Sequence, residues 1–361
     1  MKQLTRISLL IVPLIFVSLN ISSCTEKTPE PEPEEKPFIF RAADLSFLPE
    51  MEEAGIKFYD SAGLEKEMLT ILKESGLNTV RIRIWHTPAD KHSGFNEVKE
   101  FSHKVKSMGL KVWITVHYSD TWADPGHQTT PSAWQGLEIM PLSDSVYNYT
   151  ARIMDEISPD FIQIGNEING GMLWPAGKYS NMTNLKALLR AGSKAVRDSK
   201  KDCKIMFHYA GTDGAEYMLQ NLQSIDYDII GISYYPNWHG KDLNKLQTDL
   251  ISLSKSMFKP VMIAETSYPF TFGWNDWTNN VVGSQEQAHP DFPGTPGGQL
   301  AFLEEIRRIS TSDKNLVGFA YWGGEWVSFK GPQANNGSSW ENMALFDFDN
   351  KALPALRAFR P

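Results

Sequence analysis

Eight short apolar runs, each followed by a longer stretch of mixed polarity, constrain this chain more than any other feature. The runs are FIFRAADLS (38–46), LNTVRIRIW (77–85), LKVWITVHY (110–118), DFIQIGNE (160–167), CKIMFHYA (203–210), YDIIGISYY (227–235), KPVMIAE (259–265) and LVGFAYW (316–322). Their length and residue types read as buried strands. Between them lie amphipathic stretches such as LEKEMLTILKESG (64–76), NLKALLRAGSKAVRDS (184–199) and GQLAFLEEIRRIS (298–310), which read as helices. Gly76 and Gly109 stand where helix C-caps fall, just ahead of the next run. Eight alternations over 38–361 predict an α/β fold, a (β/α)8 TIM barrel with a single catalytic domain. An open doubly wound sheet is the rival. The segment after the first run, ADLSFLPEMEEAG, shows neither a GxGxxG nor a Walker pattern that such a sheet would favour.

The polar residues fall in a pattern that suits the barrel. Asp44, Arg83, His117, Glu167, His208, Tyr234, Glu265 and Trp322 all stand at or near the C-terminal ends of runs, and that end of a barrel is where active sites are built. Glu167 closes the fourth run and Glu265 the seventh, so their side chains are expected to face each other over the mouth. Such a pair can break a glycosidic bond. One carboxyl group donates a proton to the leaving oxygen, and the other, ionised, attacks carbon. Either Glu alone could be a solvated loop residue. As a pair they are harder to dismiss, because FIQI and VMIA are buried runs where an unsupported carboxylate is costly.

Neighbours suggest roles. Glu167 is the candidate acid/base, with Asn166 beside it to bind a sugar hydroxyl. Glu265 is the candidate nucleophile, kept ionised by an arginine and a tyrosine hydroxyl. Arg81 and Arg83 alternate with apolar residues in TVRIRIW and share a strand face. A buried arginine needs an anionic partner, and Glu265 is the candidate, with a structural salt bridge at the mouth as the equal alternative. Tyr234 is the candidate hydroxyl donor, against a plain interface tyrosine.

The loop HYSDTWADPGHQ (117–128) gathers His117, Asp120 and Trp122 without any zinc-ligand spacing. It reads as a sugar-binding loop with Trp122 as a stacking platform; Trp85, Trp174, Trp322 and Trp326 are further platforms. Asp44, His208 and Asn169 are additional candidate sugar ligands. No metal is expected at the site, and no GxSxG elbow is present. The late loop NNGSSWENMALFDFDNKALPAL lacks EF-hand spacing and reads as turns and caps. With a net charge of −8 and 11 tryptophans, the chain suits an uncharged polymer better than nucleic acid.

Lys2 and Arg6 precede the apolar run ISLLIVPLIFVSL, and then comes NISSC. Residues 1–23 read as a signal peptide. The serines before Cys24 resemble a bacterial lipobox, which predicts a protein lipid-anchored through Cys24 at the cell envelope, at the outer membrane or cell surface. Residues 24–37 are rich in Pro and Glu and have little to bury, as a tether would. The only other cysteine is Cys203, so no disulfide framework is expected, and Cys203 reads as a buried apolar-like residue. A monomer is expected.

Several segments make a resemblance. ADLSFLPEMEEAGIKFYD (43–60), LNTVRIRIWHTP (77–88), VHYSDTWADPGHQ (116–128), QIGNEINGGMLWP (163–175), AETSYPF (264–270) and SSWENMALFDFDNKALPAL (338–356) are similar to glycoside hydrolase family 53, the arabinogalactan endo-β-1,4-galactanases. The resemblance implies Glu167 as acid/base and Glu265 as nucleophile in a retaining double displacement. It implies the β-1,4-galactan of pectin side chains as substrate, with no cofactor for catalysis. There are departures. YWGGEWV (321–327) has Gly323 and Gly324 where the family commonly shows Glu-Pro, and Glu325 has no evident role. The segment TFGWNDWTNNVVGSQEQAHPDFPG lacks the regular Asp spacing of a calcium loop, so a structural calcium there has little support. The competing readings are another endo-β-1,4-glycanase, on mannan, xylan or glucan, and a non-catalytic glycan-binding lipoprotein.

Overall fold

The structure, a computed structural model, describes residues 38–361. The expected signal peptide, Cys24 and the tether lie outside the described residues. All eight predicted strands are present: β1 (Phe40–Asp44), β2 (Thr79–Ile84), β3 (Lys111–Val116), β4 (Phe161–Ile164), β5 (Lys204–Ala210), β6 (Ile229–Ser233), β7 (Val261–Thr266) and β8 (Leu316–Tyr321). Each pairs in parallel with its neighbours in chain order, and β8 returns to β1, so the barrel is closed. Closure leaves no exposed sheet edge.

Around the barrel stand α1 (Met68–Glu74), α2 (Phe95–Ser107), α3 (Ile139–Glu156), α4 (Met182–Asp198), α5 (Ala215–Leu222), α6 (Leu243–Met257) and α7 (Pro296–Ile309). The eighth position is held by a 3-10 segment, Pro354–Phe359, packed on α7. Helix starts follow from local chemistry. The Asp242 side chain accepts the amides of Asn244 and Lys245 ahead of α6, and Thr295 caps α7 with Pro296 as its first residue. Among the described residues no helix is long and apolar enough to cross a membrane.

The core has two parts. The larger one lies between strands and helices. The smaller fills the barrel interior with Phe40, Ala42, Trp113, Phe161, Met206, Met262 and Ala264, among others. These alternate along their strands, which fixes the inward face. Continuing the alternation upward brings Asp44, Arg81, Arg83, Gln163, His208 and Ser233 to the mouth, all buried. In β7 the alternation breaks. Met262 and Ala264 face inward, so simple parity would send Glu265 out. The register with β6 shifts after Ile232, pairing Ser233 with Glu265, and this bulge turns Glu265 to the mouth. Cys203 is a free, buried thiol.

Candidate active site

Glu265, at the end of β7, is held by an arginine and a tyrosine. Arg81 Nη2 lies 2.7 Å from its Oε1, and Tyr235 Oη donates to its Oε2 at 2.9 Å. Arg81 is itself fixed: Nη1 donates to Asp44 Oδ2 at 2.6 Å and Nη2 to Asn166 Oδ1 at 2.9 Å. The predicted partnership of Arg81 with Glu265 is thus present. Tyr234 is a correction. Its hydroxyl donates to Gly240 O at 2.8 Å, and the donor to Glu265 is the next residue, Tyr235. The reason is period two: Gly231 and Ser233 face inward on β6, so Tyr235 continues that face. Burial pushes the Glu265 carboxyl above its ordinary value, and Arg81 and Tyr235 pull it back.

Glu167 lies just beyond β4, with φ 44° and ψ 59° in the left-handed region. A non-glycine residue there carries strain of order 1–3 kcal/mol. Gly165 prepares this turn with φ +83°; a Cβ on it would come within 2.7 Å of Ile168 Cγ2. The Ser233 hydroxyl donates to Glu167 Oε1 at 2.6 Å. His208, fully buried, orients that hydroxyl. Gln163 Nε2 donates to its Nδ1 at 3.0 Å, which leaves Nε2 to donate to Ser233 Oγ at 2.8 Å. Burial first, and then the Glu265 charge, push Glu167 up to about 8. Glu265 thus has a cation and a phenol, and Glu167 has one neutral hydroxyl. The shared proton belongs on Glu167.

The two carboxyl groups line a cavity of about 610 Å³. Asp44, Arg83, His117 and Trp322 line it, as their places at strand ends suggested, together with Arg81, Trp122, Asn166 and Trp326. Asn166 is also tied into the protein. Its Nδ2 donates to Ala123 O, and its Oδ1 accepts from Arg81 and Gln163. These bonds hold Arg81 and the loop after β3, and one Nδ2 hydrogen is left for the cavity. Arg83 does not reach Glu265. It donates to Ser93 Oγ and lies against the rings of Phe47, Trp85 and Trp122 at 4.5, 4.5 and 4.1 Å.

Several of the predicted sugar-binding residues lie off the cavity wall. Trp85 stands behind Trp122, with ring centroids 5.4 Å apart. Asp120 accepts from the amides of Thr87 and Ser132 and closes its own loop. Asn169 exchanges hydrogen bonds with the Ala210 backbone at the end of β5. His208 supports Ser233, as described. Trp174, read as a platform, donates through Nε1 to Gly170 O and does not line the cavity. Strand-end position alone could not separate these from residues that face the cavity. Conversely, Trp238 and His239, from the short helix Pro236–His239 after β6, and Trp340, from the late loop, line the cavity without a strand-end signal. Asp124 also lines it, and it sits in the loop that the sequence singled out.

Among the described residues one grouping could take a metal: Glu167, His208 and Glu265 each offer an atom within 4.8 Å of the others. Both His208 nitrogens are already engaged, so the grouping is the carboxyl pair and its support. In the late loop, Asp347 Oδ1 accepts the amides of Asp349 and Lys351, the turn-forming role read from sequence.

The sequence model for glycosyl hydrolase family 53 matches residues 40–359. An arabinogalactan endo-β-1,4-galactanase of Cellvibrio japonicus is 34% identical over 339 residues, 88% of this chain and 89% of that protein. The Ignisphaera aggregans GH53 catalytic domain superposes with a TM-score of 0.85 at 34% identity, over 92% of this chain and 98% of that one. A fungal β-1,4-galactanase gives 0.79 at 30% identity, over 90% and 99%. With the barrel, the acidic pair at its mouth and a match spanning the folded chain, this protein is a member of glycosyl hydrolase family 53 and hence a glycoside hydrolase.

Proposed function

We propose that the protein is an endo-acting, retaining β-1,4-galactanase, with Glu167 as general acid/base and Glu265 as nucleophile. The observation that carries this reading is the approach of one Glu167 oxygen and one Glu265 oxygen to within 4.8 Å. Retaining enzymes hold the two groups about 5–5.5 Å apart, and inverting ones leave room for a water. The substrate class follows from the galactanase relatives.

In the first step Glu265, ionised and oriented by Arg81 and Tyr235, attacks the anomeric carbon while Glu167 gives its proton to the departing glycosidic oxygen. As Glu265 loses its charge to the new bond, Arg81 keeps Asp44 as its partner. In the second step Glu167, now ionised, takes a proton from water, which attacks the anomeric carbon and frees Glu265. Trp122, Trp322 and Trp326 supply flat apolar faces for galactose rings. The natural polymer would be type I arabinogalactan in pectin, and no cofactor takes part.

The lipobox reading adds a site of action. Cys24 would carry lipid and hold the enzyme at the outer membrane or cell surface. The function is tested by digesting linear β-1,4-galactan beside mannan, xylan and glucan, with product sizes followed over time. Mid-chain cutting of galactan alone is expected. Turnover of mannan, xylan or glucan with galactan untouched would overturn the assignment.

A further inference from the structure

Glu325 is a fully buried carboxyl group that the mechanism does not use. It lies in the loop after β8, between Trp322 and Trp326, both of which line the cavity. Its Oε1 accepts the Phe47 amide at 2.8 Å, and its Oε2 has no hydrogen-bond partner. Phe47 does not itself line the cavity, yet it touches four residues that do. Its ring stacks on Trp326 at 3.9 Å and 15°, and the Arg83 guanidinium lies 4.5 Å from it. Trp122 and Trp322 stand at 6.0 and 6.5 Å.

The two glycines before Glu325 show how it gets there. Gly323 has φ +69°, and a Cβ on it would meet Trp340 Cδ1 at 2.9 Å. A Cβ on Gly324 would meet Leu345 Cδ1 at 2.7 Å. The loop therefore packs tightly against Trp340 and Leu345 only because these positions have no side chain, and residue 325 is delivered beneath the aromatic wall.

We propose that Glu325 is a positioning residue: by holding the Phe47 amide it fixes the stack on which Trp326, Trp122 and Arg83 present one wall of the sugar cleft. This rests on the reading of the cavity as a glycan cleft. Two charged groups face Glu325, Asp44 from β1 and Arg83 from β2. Asp44 and Glu265 already balance the two arginines, with Arg81 paired to both carboxylates. An ionised Glu325 would leave the site with a net negative charge in a buried setting. Burial and then Asp44 push its carboxyl up to about 8, so the group works as the neutral acid. A neutral amide of the same shape should replace it.

The test compares wild type with Glu325→Ala and Glu325→Gln. In the alanine variant the Phe47 amide loses its acceptor, and KM for galactan should rise about tenfold while kcat changes little. Near-UV circular dichroism of the stacked indoles, which needs no substrate, should change with it. Glu325→Gln should restore both. If wild type leaves galactan untouched, the galactan reading has failed, and the circular dichroism of the two variants still decides the role of Glu325. Should the alanine variant fail to fold, melting of Glu325→Gln and wild type across pH 5 to 9 decides. A raised carboxyl pKa stabilises the fold at low pH and is lost as pH rises through about 8, so the glutamine variant should gain on wild type toward pH 9. The proposal is overturned by wild-type KM and dichroism in Glu325→Ala, by a Glu325→Gln as impaired as alanine, or by a stability difference between Glu325→Gln and wild type that stays the same from pH 5 to pH 9.

Discussion

Glu167 and Glu265 carry the same functional group, and their neighbours divide the labour between them. Tyr235 is the sharpest test at this scale, since it donates to one oxygen of the proposed nucleophile. Losing a hydrogen bond to an ionised group is worth about 1.5–3 kcal/mol, so Tyr235→Phe should lower kcat about 10- to 100-fold. Tyr234→Phe should leave kcat close to wild type, because that hydroxyl serves only Gly240. Steady-state kinetics on galactan with both variants checks this, and equal losses would contradict the assignment. The pH dependence follows from the acid. Glu167 must hold a proton in the first step, and its carboxyl is pushed up to about 8. The kcat/KM profile should therefore fall as pH rises through about 8. It should fall again on the acid side as Glu265 takes up a proton, above the ordinary carboxylate range because burial raises that group. A profile flat from pH 6 to 10 would contradict it. Both acids were legible in the sequence from their places at strand ends, and Arg81 from its alternation with apolar residues in TVRIRIW. The sequence did not show which tyrosine points inward, because that depends on where β6 starts counting its two faces.

Strands and turns place these groups, and one position in β6 carries much of the fit. Gly231 lies where a Cβ would approach Ala264 Cβ and Met206 Sδ at 2.8 Å and His208 Cδ2 at 3.4 Å. Gly231→Ala should press on the ring that orients Ser233 and destabilise the fold by about 1–3 kcal/mol through overpacking. Chemical denaturation would read this, and unchanged stability would show that the barrel interior yields more easily than its packing indicates. All eight strands were legible because buried strands leave continuous apolar runs. The bulge in β7 was not, since a register shift between β6 and β7 leaves no residue signature in VMIAET. Trp85, Asp120 and Asn169 stand off the cavity wall for a related reason: a strand end or loop can place a side chain toward the cavity or behind it, and only packing decides. The eighth helix position is a 3-10 segment, short and held by Ala355, Leu356, Ala358 and Phe359 in the core.

At the scale of the molecule, barrel geometry brings residues from β1, β2, β4, β6 and β7 to one mouth, which is why a site spread from Asp44 to Trp340 is compact. The segment ahead of the barrel bears on where that site works. Cys24→Ala should move the protein from the membrane fraction to the soluble one, and unchanged membrane association would contradict the lipid anchor. Composition spoke to the kind of polymer through charge and tryptophan content, and could not name the sugar, because stacking faces accept any hexose ring. The central claim is that Glu167 and Glu265 act together on one anomeric carbon by double displacement. Proton NMR of the reducing ends first formed from linear β-1,4-galactan tests it most directly. The account predicts the β anomer first, relaxing later to the equilibrium mixture, and α-anomeric ends appearing first would contradict it.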